Sequence, residues 1–553
     1  MATALITRAR ALFGASTMLA LAAALPAQAE TPPPVSVAPV PAAAAAAPGT
    51  LVIKADTAGP VINRDLFGQF AEHLGQGIYP GIWVGKTSKI PNVRGIRSDV
   101  VDALKALKVP VVRWPGGCYA DKYHWRDGIG AKRRPGLNPT WGGSVEPQTF
   151  GTHEYMDFIK QIGAESYISV NMGSGTVQEA ADWMEYMTTD QPTTLGKERV
   201  ANGQAKPWTI KYLGMGNEMW GCGGAMSADN YVEHMKQYVM HVNSQNPLQK
   251  NKDFFTQNPL GAKRIAVGDH SEGHDYTEAI MKAWKTRMPW FWTIEGISMH
   301  HYTWGEAMLN AKPYDFTEKE YAGLLHETYE MDKLIAHRSQ IMDKYDPGKK
   351  VALVVDEWGV WLKPEPGLNA FFLKQQTSMR DAVAAAINLN IFARHAARVR
   401  MANIAQLANV LQGMVLTDGA KMLLTPTYHV FRMYVPFQDA TFIPVNFTAG
   451  EYKFGKYTMP QTDVIAARAK DGKVWLALAN LDANKSADIT ASVEGLSASS
   501  AVGEVLTSPK FDSINTFALP NTVAPKPFAA KAKDGVLTMT LPPHSVTVVR
   551  LEP

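Results

Sequence analysis

Eight short β-rich runs, each closing on polar or glycine-rich residues and separated by longer amphipathic stretches, constrain this chain more than any other feature. In order they are "VINRDLFGQFAEH", "VPVVRWPGG", "SYISVNMGSG", "IKYLGMGNE", "RIAVGDH", "GISMHHY", "VALVVDEW" and "MANIAQL". Segments such as "SDVVDALKALK" and "THEYMDFIKQIG" lie between them, with apolar residues at helical spacing. Eight βα units in one segment are what a closed (β/α)8 barrel requires. An open doubly wound sheet would favour a Gly-rich phosphate-binding turn after its first strand, and no GxGxxG follows the first run. The expected class is α/β, a (β/α)8 TIM barrel spanning residues 50–415.

Beyond Leu416 the texture changes. "DVIAARAKDGKVWLALANLDANKSADITASV" and "DGVLTMTLPPHSVTVVRLEP" are short period-two runs punctuated by Asp-Gly, Asn and Pro. They predict a C-terminal antiparallel β-sandwich, jelly-roll-like, over residues 416–553. "GTLVIKADT", from Gly49 to Thr57, is also strand-like and precedes the first barrel run, so it is available to pair with that sandwich.

The first residues follow another logic. Arg8 and Arg10 precede the apolar run "ALFGASTMLALAAAL", which ends at Pro26 and the triplet Ala27-Gln28-Ala29. That pattern predicts a secretory signal over residues 1–29, hence a periplasmic or secreted protein with no membrane attachment after cleavage. An uncleaved anchor is the alternative. Residues 30–49, "ETPPPVSVAPVPAAAAAAPG", read as an extended Pro/Ala-rich spacer. Cleavage removes Arg8 and Arg10 and no acidic residue, lowering the net charge from +4 to +2. A near-neutral chain has no general pull on nucleic acid or anionic lipid, so a neutral substrate is the expected partner.

Reactive side chains of a (β/α)8 barrel gather at the C-terminal ends of the strands. Glu218 ends the fourth run and Glu357 the seventh, on opposite sides of the barrel mouth. Two carboxyls facing one another suit glycosidic bond cleavage, one donating a proton to the leaving oxygen and the other attacking the anomeric carbon. The donor must stay protonated, which a charged neighbour and burial against aromatics favour. Trp220 and Trp358 stand next in sequence to supply such walls. Structural acids at strand ends are common, so the pair alone leaves a structural role open.

The surrounding segments narrow it. "FGQFAEHLGQGIYPGIW", "VVRWPGGCYADKYHWRDGIG", "WGGSVEPQTFGTHEYMDF", "LGMGNEMWGCGG", "ISMHHYTW", "DEWGVW" and "ANIAQLANV" occur in this order. Together they closely resemble the family 51 glycoside hydrolases, the α-L-arabinofuranosidases, from about Leu51 through the last barrel strand and into the sandwich. The resemblance implies a retaining exo-glycosidase that releases terminal α-L-arabinofuranosyl groups from plant polysaccharides such as arabinan and arabinoxylan, or from their oligosaccharides. It implies Glu218 as acid/base and Glu357 as nucleophile, with no cofactor and no metal. Asn217 would bond the sugar hydroxyl beside the anomeric carbon, and Tyr302 would donate to Glu357. Glu72 and Gln406 would grip the outer hydroxyls, Arg113 would hold the pocket floor, and Trp141 and Trp361 would supply apolar walls. For each of these, a satisfied core polar group or a packing aromatic is the plainer alternative.

There are departures from the family pattern. Cys118 stands where many members carry Asn, Gln76 where Arg is frequent, and Gln69 replaces a common His. As a substrate-binding residue, a Cys118 thiol would donate more weakly than an amide. Cys118 and Cys222, the two cysteines, are placed to approach one another at the barrel mouth. An oxidising compartment would permit a disulfide, and two free buried thiols are the alternative. His270, His274, His300 and His301 cluster near strand ends without metal-ligand spacing, so hydrogen bonding around the sugar or Glu357 is their expected role. The rival functions are an endo-acting glucanase or xylanase on the same barrel, and a non-catalytic carbohydrate-binding protein. Related enzymes are often multimers, and the sequence leaves a homo-oligomer open.

Overall fold

The computed structural model describes residues 49–253, 255–270 and 275–553. The signal segment, nearly all of the spacer, and His274 lie outside the described residues.

The eight expected runs form one closed, wholly parallel barrel. Its strands are Gly68–Phe70, Val111–Trp114, Glu165–Val170, Tyr212–Met215, Lys263–Ala266, Gly296–Thr303, Ala352–Val360 and Val399–Ala405. The eighth strand closes on the first through Asn403↔Gly68, Ile404↔Gln69 and Ala405↔Phe70. Val111, Tyr167, Tyr212, Ile265, Ala352, Val354 and Met401 fill the lower interior as an apolar plug. The barrel is therefore packed below and open only at its C-terminal mouth.

The outer helices follow from apolar spacing and capping. In Thr152–Ile162 the buried positions Tyr155, Met156, Phe158, Ile159 and Ile162 make one stripe. The Glu154 carboxylate accepts from the Gly151 backbone N–H at its start, and Gly163, at φ 74°, ends it in the left-handed conformation. Met379–Arg394 is buried from Met379 through Ala393 because it lies between barrel and sandwich.

The chain's change of texture at 416 falls within a hairpin of Val415–Asp418 and Lys421–Leu424. The helix Pro426–Met433, capped by Thr425, then packs on Met379–Arg394 before the sandwich strands begin at Thr441. Ten strands of the sandwich form one sheet folded over a core that includes Leu51, Ile53, Leu476, Leu478, Ile489, Met539 and Val549. Thr50–Lys54 joins it, antiparallel to Val445–Thr448 and parallel to Ala487–Glu494, a departure from a purely antiparallel arrangement. Asp463 of the sandwich accepts from Asn390 at 2.7 Å and from both Arg394 terminal nitrogens at 2.9 and 3.0 Å. These charge-assisted bonds, buried at Asn390 and part-buried at Arg394, fix the sandwich against the barrel.

Candidate active site

A pocket of about 390 Å³ opens at the C-terminal mouth of the barrel. Its lining includes Glu72, Cys118, Trp141, Glu218, Tyr302, Glu357, Trp361 and Gln406, all expected from the sequence. Arg113 and Asn217, also expected, lie in the floor and hydrogen-bond to each other at 2.6 Å. A larger groove of about 560 Å³ flanks Lys263 and Glu295, at the opposite ends of the strands.

Glu357 owes its placement to an irregularity in the seventh strand. Between Ser298↔Val354 and His300↔Glu357 the sixth strand advances two residues and the seventh three. The eighth strand shows the same mismatch, from Val355↔Ala402 to Trp358↔Ile404. This bulge lets consecutive residues Asp356 and Glu357 both face the interior. Arg113 donates to Glu357 Oε1 at 2.7 Å, and the Tyr302 hydroxyl donates to Oε2 at 2.9 Å. Asp356 accepts from Tyr167 at 2.7 Å and approaches Arg113 Nε at 3.5 Å.

Glu218 follows the fourth strand in a tight turn. Gly216 has φ 81° and Glu218 itself φ 42°, a left-handed conformation uncommon for a residue with a side chain. The Gly221 and Gly223 N–H groups donate to the Glu218 carbonyl, and the Asn217 N–H donates to Asp121 Oδ2 at 2.9 Å. His300 Nδ1 lies 2.9 Å from Glu218 Oε1 and 3.6 Å from Glu357 Oε2, while its Nε2 lies 3.1 Å from Asp356. One carboxylate oxygen of Glu218, one of Glu357 and one His300 nitrogen all lie within 4.8 Å of one another. The expected juxtaposition is met.

Burial alone would push His300 down, but the charges of Glu357 and Asp356 and the bonds to Asp356 and Glu218 raise it to about 10. Such an imidazolium is a hydrogen-bond donor near neutrality. Burial also opposes the Arg113 charge, and Asp356 and Glu357 nonetheless hold it above its ordinary value. Asp356 resists burial and is lowered by Arg113 and His300. Glu72 is raised to about 7, first by burial and then by the charge of Glu357. It accepts from the Tyr119 N–H and Trp141 Nε1 at 3.0 Å and from Gln406 Nε2 at 3.2 Å.

Two expectations are corrected. Trp358 is no pocket wall. It points outward, where it packs against Phe392 and Phe431 and is fully buried. Trp220 does line the pocket, its Nε1 donating to the Gly268 carbonyl. Cys118 is not a thiol, because it is bridged to Cys222 across 104 residues. A bridged sulfur has no proton, so Cys118 cannot donate to a sugar hydroxyl as expected. The sulfurs lie 3.8 Å (Cys118) and 3.4 Å (Cys222) from Glu218 Oε2, as contacts rather than donated hydrogen bonds.

Sequence reasoning passed over two contributors, Trp304 and the glycine pair of "RWPGG". Trp304 stacks on Trp361 at 4.6 Å, and Tyr302 meets Trp361 edge-on at 5.1 Å. His300, expected from the sequence to hydrogen-bond around the sugar or Glu357, lies between the two carboxyls. Gly116 and Gly117, in "RWPGG", let the backbone approach both acids. A Cβ on Gly116 would lie 2.8 Å from Glu72 Cγ, and one on Gly117 2.6 Å from Glu357 Oε1.

A closed parallel barrel carrying paired carboxyls among hydrogen-bonding and aromatic groups at its C-terminal mouth defines a glycoside hydrolase. Comparison with known proteins makes the class specific. The family model described as the α-L-arabinofuranosidase 1 domain matches residues 103–314, and that of the α-L-arabinofuranosidase C-terminal domain matches residues 356–545. An intracellular exo-α-L-arabinofuranosidase of Bacteroides ovatus is 41% identical over 91% of this chain and 95% of its own. The crystal structure of the GH51 arabinofuranosidase from Xanthomonas axonopodis pv. citri superimposes with TM-score 0.86 at 46% identity, covering 91% of this chain and 99% of that one. An arabinose complex of the Thermotoga maritima α-L-arabinofuranosidase gives TM-score 0.78 at 29% identity, over 91% and 100%. The chain belongs to the α-L-arabinofuranosidases of glycoside hydrolase family 51.

Proposed function

We propose that the chain is a retaining, exo-acting α-L-arabinofuranosidase that removes terminal arabinofuranosyl groups from plant polysaccharides or their oligosaccharides. The observation that carries the mechanism is the approach of the Glu218 and Glu357 carboxyls within 4.8 Å. Retaining enzymes hold the two carboxyls about 5–5.5 Å apart, whereas inverting ones leave about 6.5–9.5 Å for a water. The Bacteroides ovatus relative is named as exo-acting, and the small pocket above the Arg113 floor supports removal of a terminal unit.

In the first step Glu357 Oε2, oriented by the Tyr302 hydroxyl, attacks the anomeric carbon. A carbon–oxygen bond forms to Glu357 while the glycosidic bond breaks, and Glu218 passes its proton to the departing oxygen. Water then attacks the same carbon, Glu218 takes a proton from it, and Glu357 leaves as carboxylate. Asn217 Oδ1 is engaged by Arg113, which leaves its amide hydrogens for the hydroxyl beside the anomeric carbon. Glu72 and Gln406, bonded to one another, face the outer hydroxyls. Hydrolysis of 4-nitrophenyl α-L-arabinofuranoside followed by proton NMR tests the reading. A first-formed α-anomer is expected, and a first-formed β-anomer overturns it.

We also propose an exported protein. Support comes from the signal pattern over residues 1–29 and from a disulfide that needs an oxidising compartment. The Bacteroides ovatus relative is named intracellular, so export would distinguish this chain from it. No helix among the described residues is long and apolar enough to cross a membrane. N-terminal sequencing of protein from fractionated cells is expected to start at Glu30. An intact N-terminus in the cytoplasmic fraction overturns the proposal.

A further inference from the structure

The disulfide sits at a chemically loaded place. Cys118 lies after the second barrel strand, within the pocket wall, and Cys222 lies in the turn after the fourth. The bridge therefore ties the turn that carries Glu218 to the neighbouring wall of the pocket. It is not needed to tether distant parts of the fold, because the second and fourth strands are each paired to the third through full parallel ladders. Its sulfurs instead meet one functional atom, Glu218 Oε2, at 3.4 and 3.8 Å. Cys222 Sγ also lies 3.7 Å from Asn217 Nδ2, the amide facing the sugar.

The two Glu218 oxygens thus have different surroundings. Oε1 accepts from His300, so Oε2 is the oxygen left to carry the catalytic proton. A bridged pair of sulfurs offers Oε2 no hydrogen-bond donor, whereas two thiols in the same places would become S–H donors to it and compete for its orientation. The backbone adds a second reason. Glu218 is held at φ 42°, a conformation that persists only where its surroundings enforce it. Asp121 under Asn217 holds one side of the turn, and the bridge at Cys222 holds the other.

We infer that the Cys118–Cys222 bridge is a positioning element for acid catalysis, which keeps the proton-bearing oxygen of Glu218 aimed at the departing glycosidic oxygen. This rests on the acid/base role proposed for Glu218.

The experiment uses the full chain made in an oxidising compartment and two aryl arabinofuranosides. Phenolate needs a proton to depart, and 2,4-dinitrophenolate does not. Cys222→Ala breaks the bridge yet leaves Cys118 in the pocket wall. Its kcat/KM on the phenyl substrate is expected to fall at least about tenfold, a fraction of the 10²–10⁴ supplied by a general acid. On the 2,4-dinitrophenyl substrate it is expected to stay within about twofold. Wild type treated with tris(2-carboxyethyl)phosphine, which takes oxygen from water as the S–S bond becomes two S–H groups, should show the same split. That arm also serves if Cys222→Ala does not fold. Equal losses on both substrates, no loss on either, or two free thiols in the denatured, unreduced protein would each overturn the inference. Glu218→Ala is the control. If it shows no leaving-group dependence, the acid/base assignment has failed, independently of the bridge.

Discussion

Gly117→Ala is the sharpest test of the site geometry because its effect can be worked from distances. An alanine Cβ would stand 2.6 Å from Glu357 Oε1, and ordinary contact begins near 3.4 Å, so one of them must yield by about 0.8 Å. The neighbouring Phe70 Cζ, 3.3 Å from the same point, blocks sideways relief. Oε1 is pinned by Arg113 at 2.7 Å, and Arg113 is itself buried between Asp356 and Glu357. The Gly117 backbone lies outside the left-handed region, so alanine brings no conformational strain of its own and the effect is steric. A nucleophile displaced by nearly 1 Å costs about 10²-fold in rate, or about 2.7 kcal/mol of transition-state stabilisation. The assay is kcat/KM on 4-nitrophenyl α-L-arabinofuranoside, with circular-dichroism melting to verify the fold. Wild-type kcat/KM in a normally folded Gly117→Ala protein would refute the reasoning, since it would mean that the backbone does not approach Glu357 as described.

Glu357→Ala is expected to abolish turnover, and added azide to restore it with formation of the inverted β-arabinofuranosyl azide, detected by NMR. Absence of both effects would dismiss Glu357 as nucleophile. Tyr302→Phe removes a 2.9 Å donor to the charged Glu357 Oε2. At about 1.5–3 kcal/mol for such a bond, kcat/KM should fall about 10- to 150-fold in steady-state assays. Glu72 is raised to about 7 by burial, so the folded state favours its neutral form. That contribution is complete below its unfolded value and is lost as pH rises through about 7. Glu72→Gln should flatten this part of the curve of denaturation midpoint against pH, and an unchanged slope would refute the shift.

The barrel strands were legible because strands buried on both faces read as nearly continuous apolar runs, here ending in polar residues that mark the mouth. The carboxyls and their partners were legible as residue types in ordered segments. What escaped depends on how strands pair. The seventh-strand bulge exists only relative to its neighbours' register, and it decides that Asp356 joins Glu357 inside while Trp358 turns out to Phe392 and Phe431. Spacing placed Cys118 and Cys222 near one another but left bridge and free thiols equally open, because closeness across 104 residues is settled by tertiary contact. The stretch after 416 carried its own helix signal, Thr425 as cap and Pro426 in the first turn, which the period-two pattern downstream overshadowed.

The bulge also bears on the opposite parts proposed for two glutamates a few ångströms apart. Arg113 and His300 are buried cations: Arg113 contacts Asp356 and Glu357, and His300 contacts Glu218 at 2.9 Å, Asp356 at 3.1 Å and Glu357 at 3.6 Å. The partners differ accordingly. Glu357 accepts from a guanidinium and a hydroxyl, which stabilise a full negative charge, whereas Glu218 accepts from His300 on one oxygen and meets two protonless sulfurs with the other. Without the extra residue in the seventh strand, Asp356 would face outward. The irregular strand thus serves the site twice, by aiming Glu357 and by bringing Asp356 to the buried Arg113 and His300.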